Sequence, residues 1–379
     1  MTDTLLIQEL EALQAKGLFR KLRTLSHHRG THAVCEGKEV ILFCGNDYLG
    51  LSHDPRLAQA AKQALEKYGL GAGAARLISG TTDLHVQLEE ALARFKKKER
   101  ALVFGSGYLA NLGVLSALAG KKDLIVMDKL CHASLIDGAR LSGAATRVFP
   151  HKNYRRCEEI LRKAAGFRRR ILVSDSIFSM DGDLAEIGEL VRLKEKYNCL
   201  LIMDDAHGIG VFGSEGQGLA EGEAIDVIIG TLSKACGVFG GFAAVSAATA
   251  EHLINFSRPF IFATAPPPVV MAAALAALHV IQTEPSLRKR LWQNIDQVHS
   301  FLKERGMGPA NLSPIIPLVV GEEKKAVKLS EELLERGILI PVIRYPTVAK
   351  GKARLRLTVS AAHTESDLEK LFQALPPFP

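Results

Sequence analysis

A chain of 379 residues is longer than a single hydrophobic core usually serves, so a large domain with a smaller companion is expected. Its 47% hydrophobic and 23% charged residues exclude a disordered polymer, and the longest apolar run, Pro266 to Ile281, opens with three prolines and falls short of the ~20 apolar residues of a membrane span. The net charge of +7 comes from scattered clusters (Lys96 to Lys98, Arg168 to Arg170, Arg288 to Arg290) without aromatic interleaving, which argues against nucleic acid and leaves solvated surface or attraction of an acidic substrate or carrier.

Residues 1–39 read as an N-terminal arm, with apolar residues at helical spacing from Leu5 to Leu25 and a polar link after them. The first residues carry no secretory signal pattern, and six cysteines without a paired spacing suit free thiols in a reducing, cytoplasmic setting. From Val40, short β-rich runs alternate with helical stretches: Val40 to Phe43, Ala101 to Phe104, Leu124 to Met127, Thr146 to Phe149, Ile171 to Ser174, Leu200 to Asp204, Val227 to Gly230 and Phe242 to Val245. Several are apolar on both faces, as strands covered by helices on each side are, so an α/β fold with a mostly parallel central sheet flanked by helices is expected over residues 40–265. The prolines from Pro259 to Pro268 interrupt that pattern, and residues 266–379 read as a smaller C-terminal α+β domain with strands near Ile315 to Val320, Ile338 to Ile343 and Arg354 to Thr358.

Three segments carry candidate chemistry at the ends of these strands. The strand Leu201 to Met203 runs into Asp204, Asp205 and His207. Open α/β sheets place ligand groups at such ends, and a buried carboxylate there needs a cation or strong hydrogen bonds; a cofactor nitrogen or a structural cap at the next turn would each serve. The next strand leads into Thr231-Leu-Ser-Lys234-Ala-Cys-Gly237, where small neighbours suit a desolvated amine nucleophile, thirty residues after Asp204. Gly105-Ser-Gly107-Tyr108 follows a strand and opens a helix, which makes a phosphate cradle and also imitates a dinucleotide fingerprint with Asp128 as the acid. His132 and Ser179 follow strands on the same edge and read as a turn former or structural histidine, or as groups that touch a flat cofactor. No metal-ligand spacing, serine-hydrolase elbow or Walker loop is present.

Taken together, Asn46-Asp-Tyr-Leu-Gly-Leu51, Gly105-Ser-Gly-Tyr-Leu-Ala-Asn111, His132-Ala-Ser134, Phe178-Ser-Met-Asp-Gly-Asp183, Asp204-Asp-Ala-His-Gly208 and Thr231-Leu-Ser-Lys234 resemble the α-oxoamine synthases, and the likeness runs from about Leu10 to about His363. The resemblance implies a fold-type I pyridoxal-phosphate-dependent transferase with its cofactor carried as a Schiff base on Lys234. It implies that Asp204 pairs with the pyridine nitrogen, His207 and Ser179 bond the ring-oxygen side, His132 stacks on the ring, and Gly107, Tyr108 and Thr231 hold the phosphate side, with Thr264 reaching it from a neighbouring subunit. Arg20, Asn46, Thr347 and Arg356 match substrate-binding positions, Arg356 as a clamp for an amino-acid carboxylate. The implied reaction is an acyltransfer in biotin biosynthesis: L-alanine condenses with pimeloyl-CoA or pimeloyl-acyl carrier protein and loses its carboxyl group, in a homodimer whose active site lies at the subunit interface. A sibling such as a glycine C-acetyltransferase, a fold-type I aminotransferase and a dinucleotide oxidoreductase are the alternatives. The chain departs from the family pattern at Ala75 and Ala263, where relatives often carry serine.

Overall fold

The protein is described by a computed structural model covering residues 2–307 and 312–376. It forms two compact units, a larger one of Asp47–Ser179 with Leu184–Lys289 and a smaller one of Met1–Asn46, Met180–Asp183 and Arg290–Pro379.

The larger unit is built on a seven-stranded sheet, in the order Arg100–Phe104, Gly241–Val245, Val227–Thr231, Leu200–Asp204, Arg170–Asp175, Leu124–Asp128 and Ala145–Phe149. Gly241–Val245 runs antiparallel to both neighbours, and every other pairing is parallel. Side chains alternate across a strand, and here both alternating sets are apolar. Ile125, Met127, Ile171, Val173, Ile202, Val227 and Ile229 pack into one buried cluster. Leu124, Val126, Leu172, Leu201, Met203 and Ile228 pack into another. Polar residues are consequently pushed to the strand ends, and the C-terminal ends of the parallel strands carry Asp128, Asp175, Asp204 and Thr231. Register brings Asp175 opposite Asp204.

The smaller unit holds a four-stranded sheet, Leu25–Arg29, His32–Cys35, Lys38–Leu42 and Ile338–Leu339, and a three-stranded one, Ile315–Gly321, Ala353–Thr358 and Val342–Ile343. Three expectations change here. The arm helix stops at Ala15, because Gly17 turns to φ +64°, and the segment expected as a polar link is a β-hairpin turning at Gly30. The run Ile338 to Ile343 is two short strands, split at Pro341, which has no N–H to donate. The helix Pro268–Thr283, expected in the C-terminal domain, belongs to the larger unit, where it packs on Pro55–Tyr68; the division falls at Lys289 and not at 265, and residues 1–46 group with the C-terminal segment. The apolar residues of Pro268–Thr283 (Met271, Ala274, Ala277, Leu278, Ile281) supply the reason, since they are buried. Among the described residues, no single helix is long and apolar enough to cross a membrane.

Candidate active site

Lys234 leaves the strand Val227–Thr231 half-buried, and its Nζ lies 2.9 Å from Nε2 of His207. The Nδ1 of the same buried imidazole lies 2.7 Å from the hydroxyl of Tyr48, so one ring links the amine to a phenol. The lysine loop is held against the segment following Tyr48 by close backbone approach. A Cβ on Gly237, which sits at φ +66°, would come within 2.3 Å of the amide nitrogen of Ser52.

Asp204 ends its strand 6% exposed. Its Oδ2 accepts from Asn111 Nδ2 at 2.6 Å and its Oδ1 from the amide of Ala206 at 3.0 Å. Among the described residues, no basic side chain forms an ion pair with it. Asp175, beside it on the next strand, accepts from the amide of His132 at 2.9 Å. Burial, reinforced by the charge of Asp204, pushes the carboxyl pKa of Asp175 well above its ordinary 3.8. His132 caps the helix Ala133–Ser142, its Nδ1 lying 2.7 Å from Ser134 Oγ, and Ser134 Oγ accepts from Asn111 Nδ2 at 2.8 Å.

On the other side of this edge, the helix Gly107–Leu118 presents its first amides, those of Gly107 and Tyr108, which have no acceptor within the helix. The backbone is packed closely there. A Cβ on Gly107 would lie 3.3 Å from Cβ of Thr231, and one on Gly241 would fall 2.3 Å from the amide nitrogen of Gly107. Thr231 Oγ1 donates to Gly240 O at 2.9 Å, and the amide of Ser233 donates to Thr231 Oγ1 at 3.2 Å.

The larger unit thus brings Lys234, His207, Asp204, His132, Thr231 and Gly107 to one sheet edge. Tyr108 shares the helix start through its amide, while its side chain is 42% exposed and donates to Asp137 at 2.5 Å. Ser179 lies in the turn after Ile177, which pairs with Leu184. Thr264 is exposed and pairs through its backbone with Ala75, so the two segments carrying the family departures at Ala75 and Ala263 are neighbours. The other candidates fall in the smaller unit. Arg20 and Thr347 line one cavity of about 730 Å³ together with Arg344 and Cys44. Arg356 is buried there and donates to Asn46 Oδ1 at 3.2 Å. Burial pushes the Cys44 thiol up to about 11, against the opposing Arg356, so it stays protonated at neutral pH.

Tyr48, Asn111, Ser134 and Asp175 were not singled out from the sequence, although the first three stand inside motifs quoted for the resemblance. Asp128, the acid of the dinucleotide alternative, is consumed structurally. Its carboxylate accepts from the amides of Leu130 and Lys152, each at 2.8 Å, and pairs with His151 at 2.9 Å.

A family model described as "Aminotransferase class I and II" matches residues 38–375. The chain is 47% identical over 372 residues to a putative 8-amino-7-oxononanoate synthase of Desulforudis audaxviator, with 97% of both sequences covered. It is 46% identical over 374 residues to the 8-amino-7-oxononanoate synthase of Geobacter sulfurreducens, covering 97% of this chain and 96% of that one. The chain belongs to the α-oxoamine synthase family. Among solved structures, a serine palmitoyltransferase from S. paucimobilis with a bound PLP–myriocin aldimine superposes with a TM-score of 0.92 at 31% identity, covering 97% of this chain and 95% of that one. The 8-amino-7-oxononanoate synthase of Francisella tularensis gives 0.76 at 31% identity, covering 88% of this chain and 97% of that one.

This α-oxoamine synthase is accordingly a fold-type I, pyridoxal-phosphate-dependent acyltransferase, and its residues suit the cofactor. A buried carboxylate satisfied only by neutral donors suits a protonated pyridine nitrogen, which would supply its missing cation. The helix start beside Gly107 offers free backbone amides to a phosphate. The half-buried amine of Lys234 is the nucleophile the aldehyde needs.

Proposed function

We propose that the chain condenses L-alanine with a pimeloyl thioester, with loss of carbon dioxide, to give 8-amino-7-oxononanoate for biotin synthesis. The observation that carries this reading is the placing of Lys234, His207 and Asp204 on one sheet edge of a chain that is 46–47% identical to proteins named for that product.

When bound, pyridoxal phosphate supplies an electron-withdrawing ring that stabilises negative charge at the amino acid's α-carbon. The residues do the rest. Asp204, buried at its strand end, pairs with the protonated ring nitrogen. Lys234 removes the proton from the α-carbon of alanine and later returns one there; the half-buried amine is confined by His207, which Tyr48 orients from the opposite ring nitrogen. A carbon–carbon bond forms between that α-carbon and the acyl carbonyl carbon, the thiol leaves with a proton, and the carboxyl group departs as carbon dioxide. Gly107, Tyr108, Thr231 and Thr264 hold the phosphate side, Ser179 the ring-oxygen side, and His132 covers the ring face. Arg356 clamps the alanine carboxylate, and Arg20, Asn46 and Thr347 contact substrate.

The working form is a cytoplasmic homodimer. Its support is the set of apolar side chains left exposed on the larger unit, Ile78 at 81%, Leu70 at 73%, Phe262 at 68% and Phe239 at 57%, and the free state of all six cysteines. Lys234→Ala tests the chemistry: loss of both the cofactor's lysine-bound absorbance and turnover of alanine with pimeloyl thioester is expected, and wild-type-like turnover would refute the assignment. A panel of amino acids and thioesters, read by product mass, separates this reaction from a glycine C-acetyltransferase, and product formed without any thioester would indicate an aminotransferase.

A further inference from the structure

We propose that Asn111 and Ser134 form a one-way hydrogen-bond relay from Asp204 that fixes His132 as a neutral imidazole with its single proton on Nε2. The direction is set by what each group can donate or accept. Asn111 places Nδ2 2.6 Å from a carboxylate oxygen of Asp204, and an ionised carboxylate only accepts, so the Asn111 amide cannot be turned the other way round. The same Nδ2 donates its second hydrogen to Ser134 Oγ at 2.8 Å. Its Oδ1 is buried without a partner among the described residues, which is the cost of keeping both hydrogens on Asp204 and Ser134.

Ser134 is fully buried, so its own O–H needs an acceptor. Nδ1 of His132 stands 2.7 Å away and also faces the Ser134 amide at 3.3 Å. Two donors converging on Nδ1 leave no room for a proton there. The ring proton is therefore on Nε2, and charging the ring would require Ser134 to give up its acceptor.

His132 is exposed, while its Nδ1 edge is turned onto Ser134. The protein crowding that edge lowers the ring's pKa, the Asp204 and Asp137 charges opposing and Lys234 assisting; Asp175 faces the His132 amide and not the ring. Asn111 and Ser134 are positioning residues. Resting on the proposed function, the consequence is that an uncharged ring covers a cofactor whose own nitrogen is protonated, where an imidazolium would meet a second cation.

The test uses full-length cofactor-loaded protein labelled with ¹⁵N-histidine, with the His132→Gln variant assigning the signal. At neutral pH, His132 should show an unprotonated Nδ1 and a protonated Nε2. In Ser134→Ala, the protonation midpoint should rise by about one pH unit, the worth of one lost hydrogen bond, and the acid limb of kcat/KM should move with it. Ser134→Thr should restore both. Cofactor absorbance of Ser134→Ala should stay near wild type, while its folding midpoint drops as the buried Asn111 donor loses its acceptor. A proton on Nδ1 in the wild type, or an unmoved midpoint in Ser134→Ala, would overturn the relay, and the wild-type spectrum alone decides if the variant does not fold. Because the spectrum reads the ring directly, it stands whether or not alanine and pimeloyl thioester prove to be the substrates.

Discussion

Asp204 and Asp205 are consecutive, both buried, and surrounded in opposite ways. Asp205 is fully occupied: Lys96 Nζ donates to its Oδ2 at 2.8 Å, Ser176 Oγ to its Oδ1 at 2.7 Å, and the amide of Leu219 to Oδ1 at 3.3 Å. Lys96 also donates to the carbonyl of Gln217, so the pair ties the strand end to the loop after it. The packing around Asp205 leaves nothing open, since a Cβ on Gly218 would fall 1.9 Å from its carboxylate and one on Gly208 2.1 Å away. Among the described residues, Asp204 has only an amide side chain and a backbone N–H. A carboxylate that already has its cation serves the fold, and one that lacks it is available to a ligand's cation. Adjacent residues thus divide stability and chemistry between them.

Lys96→Met should break the first half of that comparison most severely. Removing one partner of a buried pair leaves an uncompensated charge, at a cost of about 3–5 kcal/mol. Urea unfolding should register this as a lower midpoint with an unchanged slope, and Lys96→Met with Asp205→Asn should recover at least half of it, because the stranded charge is then gone. For whatever fraction remains folded, kcat should fall far less than in Asp204→Asn, since Lys96 bonds Asp205 and Gln217 and not Asp204. A stable Lys96→Met enzyme would show that the pair is not what holds this edge.

Asp204→Asn should do the reverse. Asparagine keeps the shape and can still accept from Asn111, but its amide nitrogen then faces the Ala206 N–H, so folding stability should fall by about 1–3 kcal/mol, less than in Lys96→Met. Turnover should fall by about 10²-fold or more, the usual scale for removing a preorganised charge from a reacting centre. Equal losses of stability in Asp204→Asn and Lys96→Met would collapse the distinction between the two carboxylates.

The site is legible in the sequence through its strands. Runs such as Leu201 to Met203 and Val227 to Ile229, apolar in both alternating sets, announce parallel strands covered on both sides, and the polar residues next along the chain must then sit at an edge. The placement of Asp204, His207 and Lys234 just beyond two such strands was legible on that basis. The difference between Asp204 and Asp205 was not, because the residue that decides it, Lys96, stands 109 positions earlier on the chain and looks there like one of three surface lysines. Ser134 and Asn111 were hidden for the same reason: each is an ordinary polar residue of its own helix until two helices bring them within 2.8 Å. The N-terminal hairpin was missed locally, since the apolar spacing from Leu5 to Leu25 continues through Gly17, where the backbone does not.

Asp175 sharpens the comparison with a smaller, pH-dependent effect. It is buried like its neighbours, lacks a paired cation among the described residues, and its carboxyl pKa is raised, first by burial and then by Asp204. A carboxyl group harder to ionise in the native state than in the unfolded chain costs stability as pH rises, because the unfolded state releases its proton first. Below the ordinary value of 3.8, wild type and Asp175→Asn should be about equally stable. Above it the variant should gain on the wild type, by no more than ~1.4 kcal/mol per pH unit, the limit for a single proton. Asparagine can still accept from the His132 amide through its carbonyl, so the cap at that position should survive. Denaturant midpoints of the cofactor-loaded proteins across the acid range measure the gap. If it narrows with rising pH, Asp175 is stabilised as a carboxylate, and the shortage of cations inferred for this edge does not extend beyond Asp204.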